Sequence, residues 1–267
     1  MRRRRWIHYA LALLICAWVL FPIYLIAISA FGTRDAVFAW PKAFFPDPIS
    51  LDTLGFFFGV AGVWKAVLNS IVVAVMTMVL AIGLGAPAGY ALARFPFRGK
   101  DAFRLLILLT RAFPLAILAV PLVVRFIQLG IYDTVLAVAL VHTALALPFA
   151  VLVSASLFMG VPRELEEAAW TMGCTRFQAF RRVVLPLVLP GIAATALFAF
   201  VISWNEVFAA TILTLQNRTL TAFLLSVLDE SPLAFRFAGG LFLIVPALIF
   251  LFVVRKYLFS MWGIANR

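Results

Sequence analysis

The chain has 267 residues, of which 65% are hydrophobic and only 12% are charged, and its formal net charge is +11. Soluble domains are about half apolar and a quarter charged, so this composition excludes an ordinary soluble domain and predicts an integral membrane protein. The positive charge does not indicate nucleic-acid binding, because most basic residues cluster at the ends of apolar runs, as topology signals do. The only histidines are His8 and His142, and the two cysteines lie far apart, so neither a metal site nor a disulfide framework is indicated.

Six apolar runs are long enough to cross a bilayer, which takes about 20 helical residues. They cover residues 7–31, 66–93, 105–124, 135–159, 187–207 and 237–257. The first run is longer than the apolar part of a signal peptide, so we interpret it as a retained span. If all six runs cross, 15 of the 22 lysines and arginines lie on one side with both termini, which the positive-inside rule assigns to the cytoplasm. The predicted fold is all-α, with six transmembrane helices and cytoplasmic termini.

The second and third runs contain residues with a predicted role inside the membrane. Gly83, Gly85 and Gly89 in the second run are spaced for the close approach of another helix. Arg111 lies about two turns into the third run, and Pro114 can break that helix. An intramembrane arginine is a functional candidate by default, while snorkelling to the inner headgroups explains Arg111 equally well.

Polar side chains also occur in the fourth and fifth runs. His142 lies inside the fourth run, where a single histidine is more often a hydrogen-bonded packing residue than a ligand. Asn205 and Glu206 end the fifth run, and they either face a water-filled path or cap a helix end in outer water. The following stretch, 211–236, is predicted to be an outer segment that is partly re-entrant.

The longest stretch that cannot lie in a bilayer runs from Gly160 to Gly191, between the fourth and fifth runs. It carries three glutamates and four arginines, so it must lie in water. Pro162 can open a helix as its first residue. Glu164, Glu166 and Glu167 then fall in the first turn, where the helix dipole favours negative charge.

The same stretch predicts a turn and a second helix. Gly173 suits a helix C-cap, and Thr175 can N-cap a short helix over residues 176–184. Ala168 and Ala169 would offer a smooth helix face to a partner. We therefore expect a helix–turn–helix on the membrane surface.

The spacing of this stretch resembles the EAA loop in the membrane subunits of bacterial ATP-binding cassette (ABC) importers. The matching residues are Glu167-Ala168-Ala169, then Gly173, then Val183-Val184-Leu185-Pro186. Further similar positions are Asn69-Ser70, 88–94, 97–99, 129–134 and 203–206, so the likeness covers about residues 69–246. It is similar to the carbohydrate-uptake branch, and above all to the second permease subunit of maltose-type importers.

The resemblance implies a type I ABC importer permease fold in the bacterial cytoplasmic membrane. It divides the chain into a first span with its outer loop (1–63), a transmembrane core (64–258) and a short tail (259–267). It implies a second homologous permease subunit, two ATPase subunits that bind ATP and Mg, and an extracytoplasmic solute-binding protein as partners. This chain would itself hold no cofactor, metal or catalytic group.

The resemblance also assigns roles to residues. Those that would couple the chain to the ATPases are Glu167, Ala168, Ala169, Gly173, Leu185 and Pro186. The candidates for a translocation path come instead from polar side chains within or at the ends of spans, and they are Arg111, His142, Asn205 and Glu206.

Two departures and three alternatives bear on this hypothesis. Met172 stands where the carbohydrate branch usually has Asp, and the tail 260–267 lacks the usual Gly-Ala-Val-Lys-Gly. A permease for an amino acid, phosphate or metal shares the loop. An ion-coupled transporter needs acidic residues in mid-span, and here they lie in loops or at span ends. A membrane enzyme needs clustered catalytic groups, and the sequence shows no Walker A loop, GxGxxG or Ser/His/Asp set.

Overall fold

The computed structural model describes residues 2–45, 48–227 and 231–261. Within these ranges the chain is helical and contains no β-strand. The α-helices are α1 (Arg2–Ala30), α2 (Arg34–Phe38), α3 (Asp52–Gly59), α4 (Val63–Arg94), α5 (Lys100–Leu109), α6 (Leu115–Gln128), α7 (Val135–Met159), α8 (Arg163–Thr171), α9 (Arg176–Ala179), α10 (Leu185–Asn205), α11 (Phe208–Leu213), α12 (Leu220–Ser226) and α13 (Leu233–Met261).

Four helices in the described part of the chain are long and apolar enough to cross a membrane. They are α1, α4, α7 and one continuous helix that runs from Arg176 to Asn205. A bent pair of helices, Lys100–Ala112 and α6, would make a fifth crossing. The apolar part of α13 among the described residues, Leu233–Ile249, is shorter. The all-helical membrane architecture is therefore confirmed, while six crossings and cytoplasmic termini stay predictions.

The third predicted span is not one straight helix. A 3₁₀ turn, Thr110–Ala112, extends α5, and the chain then turns by 86° before α6 begins. The break lies at Phe113, which is extended (ψ 118°), because the Pro114 ring disfavours helical backbone in the residue before it. Arg111 lies in this turn and is exposed, so it does not sit within a continuous span.

Packing divides the chain into two compact units, one formed by residues 1–64 with 224–246 and one by residues 65–223 with 247–267. The first unit is held by aromatic side chains. Phe57 is fully buried there, with ring centroids 5.1 Å from Phe235 and 6.1 Å from Phe242. Such ring pairs add about 0.5–1.5 kcal/mol each to the burial of apolar area.

In the second unit, α10 packs along α7, and α4 approaches α7 closely at two of its glycines. A Cβ atom added at Gly85 would lie 2.8 Å from Ala150 Cβ, and one at Gly89 would lie 2.6 Å from Ser154 Cβ. The prediction of close helix approach is thus confirmed for these two glycines. It is wrong for Gly83, where an added Cβ atom would have no neighbour within 4 Å, because this residue lies on another side of the helix.

Gly89→Ala is expected to destabilise the folded protein, because the new methyl group would also lie 2.7 Å from the backbone nitrogen of Ala155. Overpacking of this kind costs about 1–3 kcal/mol. Gly83→Ala on the same helix is the matched control, and it should retain or slightly raise stability since alanine favours helix. The measurement is unfolding of the purified proteins by SDS in mild detergent. Equal midpoints for the two variants would contradict the close approach.

Candidate functional site

The loop between α7 and α10 is folded by two capping arrangements, and the first ends α8. Gly173 has φ +87°, in the left-handed region that favours glycine. The N–H of Cys174 donates to the Ala169 carbonyl at 3.0 Å, and the N–H of Gly173 donates to the Trp170 carbonyl at 2.9 Å. This pair of bonds is the Schellman motif, so the predicted C-cap at Gly173 is the observed geometry. Pro162 is the N-cap rather than the first helical residue.

The second arrangement begins α9. The Thr175 hydroxyl accepts from the Gln178 N–H at 3.2 Å, and the Gln178 side chain accepts from the Thr175 N–H at 2.9 Å, which forms a capping box. The predicted N-cap is therefore present. The predicted end of this helix at residue 184 is wrong, because a π turn, Phe180–Val184, joins α9 to α10 without a break. The wider π turn lies where the Pro186 ring would otherwise crowd the carbonyl four residues earlier.

The outward side of the loop is partly apolar. Glu167 and Ala168 are exposed, and so are three large apolar side chains, Trp170, Met172 and Phe177, the last two to 78% and 70%. We call these five residues the exposed loop surface. Large apolar groups that face water together mark an interaction site.

Only one of the two alanines belongs to this surface. Ala169 is buried, so the predicted smooth face of two alanines is wrong for this residue. The reason is the helix period, which turns the side chain of Ala169 about 100° away from that of Ala168 and toward the inside of the protein.

Between α4, α8 and α9 lies a cleft of about 650 Å³. Its lining is aromatic and charged, and includes Tyr90, Arg94, Glu166, Trp170, Arg176 and Phe180. The Arg176 guanidinium lies 5.7 Å from the centre of the Trp170 ring, within the range of a cation–π contact. This contact ties α9 to α8 across the cleft.

The structure also brings together residues that the sequence patterns did not single out as a site. The Glu166 carboxylate accepts from the Arg94 Nε at one oxygen and from the Tyr90 hydroxyl, at 2.8 Å, at the other. Arg94 additionally donates from a terminal nitrogen to the Val161 carbonyl at 3.0 Å. We call Tyr90, Arg94 and Glu166 the Glu166 cluster. The one signal in the sequence was Glu166 itself. As the neighbour of Glu167 on a helix, it must lie on a different face from Glu167.

A second polar cluster lies where α7 meets the end of α10. His142 is fully buried, with Nδ1 2.7 Å from the Ser203 hydroxyl and Nε2 2.9 Å from a Glu206 carboxylate oxygen. We call these three residues the His142 cluster. Glu206 also accepts from the N–H groups of Ala209 (3.0 Å) and Ala210 (3.2 Å), so its carboxylate satisfies two of the first N–H groups of α11 from the position before the N-cap Val207.

A serine, a histidine and a glutamate meet in this cluster, although the sequence indicated no Ser/His/Asp set. The two ring nitrogens have exchanged partners relative to a hydrolase, in which Nε2 of the histidine faces the serine and Nδ1 faces the acid. The Ser203 side chain is also buried. The geometry of His142 is that of a hydrogen-bonded packing residue.

The two remaining predicted path residues lie apart from this cluster. Asn205 is exposed, and its side chain donates back to the Val201 carbonyl at 3.0 Å. Arg111 is exposed in the turn that precedes α6. His142 and Glu206 are thus in contact with each other, whereas Asn205 and Arg111 do not join them.

Asp133 holds the segment that follows α11. It has φ +58°, and one carboxylate oxygen accepts from the N–H groups of Leu215 (2.7 Å), Gln216 (3.0 Å) and Asn217 (3.1 Å). Although partial burial acts in the opposite direction, these bonds and the charge of Lys65 hold the pKa of Asp133 below its usual value.

The Asn-Ser pair that begins the second apolar run fastens the same segment. Asn69 donates to the Arg218 carbonyl at 3.1 Å, and the Ser70 hydroxyl accepts from the Leu220 N–H at 2.7 Å. Asp133 and the Asn69-Ser70 pair, two of the matches to the importer family, therefore both hold the segment 215–220 by hydrogen bonds. In the described part of the chain, no three His, Cys, Asp or Glu side chains are grouped as they would be around a metal ion.

These features define a helical membrane protein with a folded, charged loop between two of its apolar helices. Comparison with known proteins agrees with this class. Residues 81–260 match the family described as "Binding-protein-dependent transport system inner membrane component". The chain belongs to this family.

Two relatives illustrate the similarity. The diacetylchitobiose uptake system permease protein DasC of Streptomyces coelicolor is 29% identical over 243 residues, which cover 89% of this chain and 88% of DasC. The trehalose transport system permease protein SugB of Mycobacterium tuberculosis is 35% identical over 201 residues, or 72% of each chain. The chain is accordingly a transport permease subunit and not an enzyme, as the resemblance implied.

The fold is similar to that of solved importers. A chain of a bacterial ABC transporter that imports the acidic polysaccharide alginate superposes with a TM-score of 0.77 at 22% identity, over 96% of both chains. A chain of the MetNI methionine ABC transporter gives a TM-score of 0.59 at 18% identity, over 72% of this chain and 94% of its own. The predicted ABC importer permease fold is confirmed at this level.

Proposed function

We propose that the chain forms half of the translocation pathway of an ATP-driven, binding-protein-dependent importer for a sugar, oligosaccharide or polyol. The observation that carries the coupling role is the capped helix–turn–helix, which holds Glu167 and Ala168 on an exposed surface beside Trp170 and Met172. The substrate class rests on the relatives, whose names include diacetylchitobiose, trehalose and arabinooligosaccharide systems.

The partners proposed are a second, homologous permease, two ATPase subunits and an extracytoplasmic binding protein. The solved alginate importer is described in complex with a periplasmic protein that holds an alginate pentasaccharide, which supports the last of these. ATP and Mg would be bound by the ATPases. When the ATPases close on ATP, they would move the exposed loop surface, and the two permeases would rock between outward-open and inward-open states.

The roles of single residues are part of the proposal. Glu167, Ala168 and Gly173 would dock on the ATPase or shape the docking turn, and buried Ala169 would support them from inside. Leu185 and Pro186 lie at the start of α10, where the loop passes its motion to the span. The residues proposed to line the translocation path, or to hold the elements that line it, are His142, Glu206, Asn205 and Arg111.

We further propose six crossings in the bacterial cytoplasmic membrane, with both termini in the cytoplasm. A reporter fused after Arg176 is expected to be cytoplasmic, and one within residues 38–52 is expected to be outside. The reason is the excess of basic residues on the side of the loop. Labelling of single cysteines in intact cells checks the result. A residue 176 that is accessible only from outside would contradict both the topology and the coupling role.

The substrate class is tested by co-purification and binding. The chain, carrying an affinity tag, is isolated in mild detergent from its native host, and its partners are identified by mass spectrometry. The partner binding protein is then tested by calorimetry against disaccharides, oligosaccharides, polyols, amino acids, phosphate and metal ions. Binding of a sugar or polyol is the expected result. Binding of an amino acid, phosphate or metal alone would overturn the substrate class and leave the importer class standing.

A further inference from the structure

We propose that the Glu166 cluster is the joint through which a movement of α8 is passed to α4, so that Tyr90, Arg94 and Glu166 are positioning residues for energy coupling. This inference rests on the proposed function, in which the ATPases move the loop. The cluster joins residues 72 and 76 positions apart in the chain. None of its members belongs to the exposed loop surface.

The first step of the argument is that the Glu166 side chain is buried and that both of its oxygens are paired. The side chains of Arg94 and Glu166 are exposed to only 9% and 4%. Each Glu166 oxygen has its own donor from α4. Because buried ion pairs contribute little net stability, the geometry favours a role in orientation over one in holding the fold together.

The second step is that the cluster controls how α8 sits against α4. The C-terminal end of α4 reaches the loop through Arg94, which also donates to the Val161 carbonyl just before α8 begins. A further link between the two helices is made by Arg163, whose guanidinium lies 3.5 Å and 3.3 Å from the carbonyls of Ala93 and Arg94. These are longer contacts, and the second is exposed to solvent.

The third step is that α4 packs closely against α7. A Cβ atom added at Gly85 or Gly89 would overlap Ala150 or Ser154, so the two helices are in direct contact at these positions. Ring contacts continue this packing to the cluster, since Tyr90 lies 5.2 Å from Phe158 and 4.7 Å from Phe180. A displacement of α8 that pulls on Arg94 is therefore transmitted to both helices.

The test compares Glu166→Gln with Glu164→Gln. Glutamine at 166 leaves the Arg94 charge buried without its counter-charge, whereas Glu164 is exposed in the same first turn of α8 and loses the same charge. In proteoliposomes of the whole complex, Glu166→Gln is expected to lower uptake per ATP hydrolysed about tenfold, with ATPase subunits retained at the wild-type level. Glu164→Gln should keep the wild-type ratio.

Two further variants keep the test decisive if Glu166→Gln fails to insert. Tyr90→Phe removes one hydrogen bond and only the hydroxyl group, and we expect a smaller loss of uptake per ATP hydrolysed. The double exchange Arg94→Glu with Glu166→Arg should recover part of the ratio that Glu166→Gln loses, which a cluster that only supports folding would not do. A wild-type ratio in Tyr90→Phe, or loss of ATPase subunits in Glu166→Gln, would overturn the proposal.

A second readout does not need the substrate. Spin labels are placed on single cysteines at Phe97, just beyond α4, and at Leu165, an exposed residue of α8 outside the exposed loop surface, in a chain whose Cys16 and Cys174 are serine. ATP is expected to move both labels in the otherwise wild-type complex, and only the label at 165 in Glu166→Gln. If both move in the variant, the inference fails. If no sugar is imported by wild type while ATP moves both labels, only the substrate class fails.

Discussion

Gly173→Val is expected to lower uptake about tenfold while the protein still inserts into the membrane. Gly173 has φ +87°, and a side chain there costs about 1–2 kcal/mol, more for a β-branched residue. No atom lies within 4 Å of a Cβ at this position, so the energetic cost of a side chain comes from the backbone conformation alone. Relief of the strain would unwind the Schellman turn and displace the exposed loop surface from its ATPase.

Gly173→Asn is the matched control, because asparagine adopts the left-handed conformation more readily than other side chains. It should retain most of the uptake and most of the bound ATPase. The measurements are uptake into vesicles and recovery of the ATPase subunits with the tagged permease. Equal uptake and equal ATPase recovery for valine and wild type would show that this turn does not dock the ATPase.

Glu206→Gln is expected to give the second large effect, a loss of uptake with assembly retained. The glutamate uses its two oxygens to accept from His142, Ala209 and Ala210. Glutamine keeps the shape but has one acceptor oxygen and a donor amide, so at least one of these donors is left unsatisfied. Each such buried group costs about 1–3 kcal/mol. We expect the start of α11 to loosen at the end of the span.

Asn205→Ala is the control that tests whether the loss of uptake in Glu206→Gln follows from the loss of any polar group at this end of the helix. Asn205 is exposed and bonds only within its own helix among the hydrogen bonds of the described residues, so its removal should leave stability unchanged. Stability is measured by SDS unfolding and uptake in vesicles. If Glu206→Gln matches wild type in both assays, Glu206 neither lines the path nor holds it.

Local patterns in the sequence were sufficient where one segment decides its own structure. The fourth apolar run, predicted at 135–159, is helix α7 with the same bounds, because Thr134 caps its start and Gly160 follows its end. The Gly173 turn and the Thr175 cap were predictable for the same reason. Both depend on residues within one turn of the position.

Patterns failed where distant segments meet. Local spacing could predict neither the pairing of Arg94 with Glu166 nor that of His142 with Glu206, because the partners lie 72 and 64 residues apart. The bend at Pro114 shows a different limit. A proline predicts that a helix can break, but the 86° turn depends on what the two arms pack against.

The unbroken helix from Arg176 to Asn205 can be considered as a lever arm. At 1.5 Å per residue its 30 residues measure ~45 Å, so a tilt of ~5° about the loop end sweeps the far end through ~4 Å. This displacement is larger than the hydrogen-bond distances of 2.7 Å and 2.9 Å that join His142 on α7 to Ser203 and Glu206. A small rotation at the loop end thus produces a displacement at the opposite end, where either α7 follows α10 or the hydrogen bonds of the His142 cluster break.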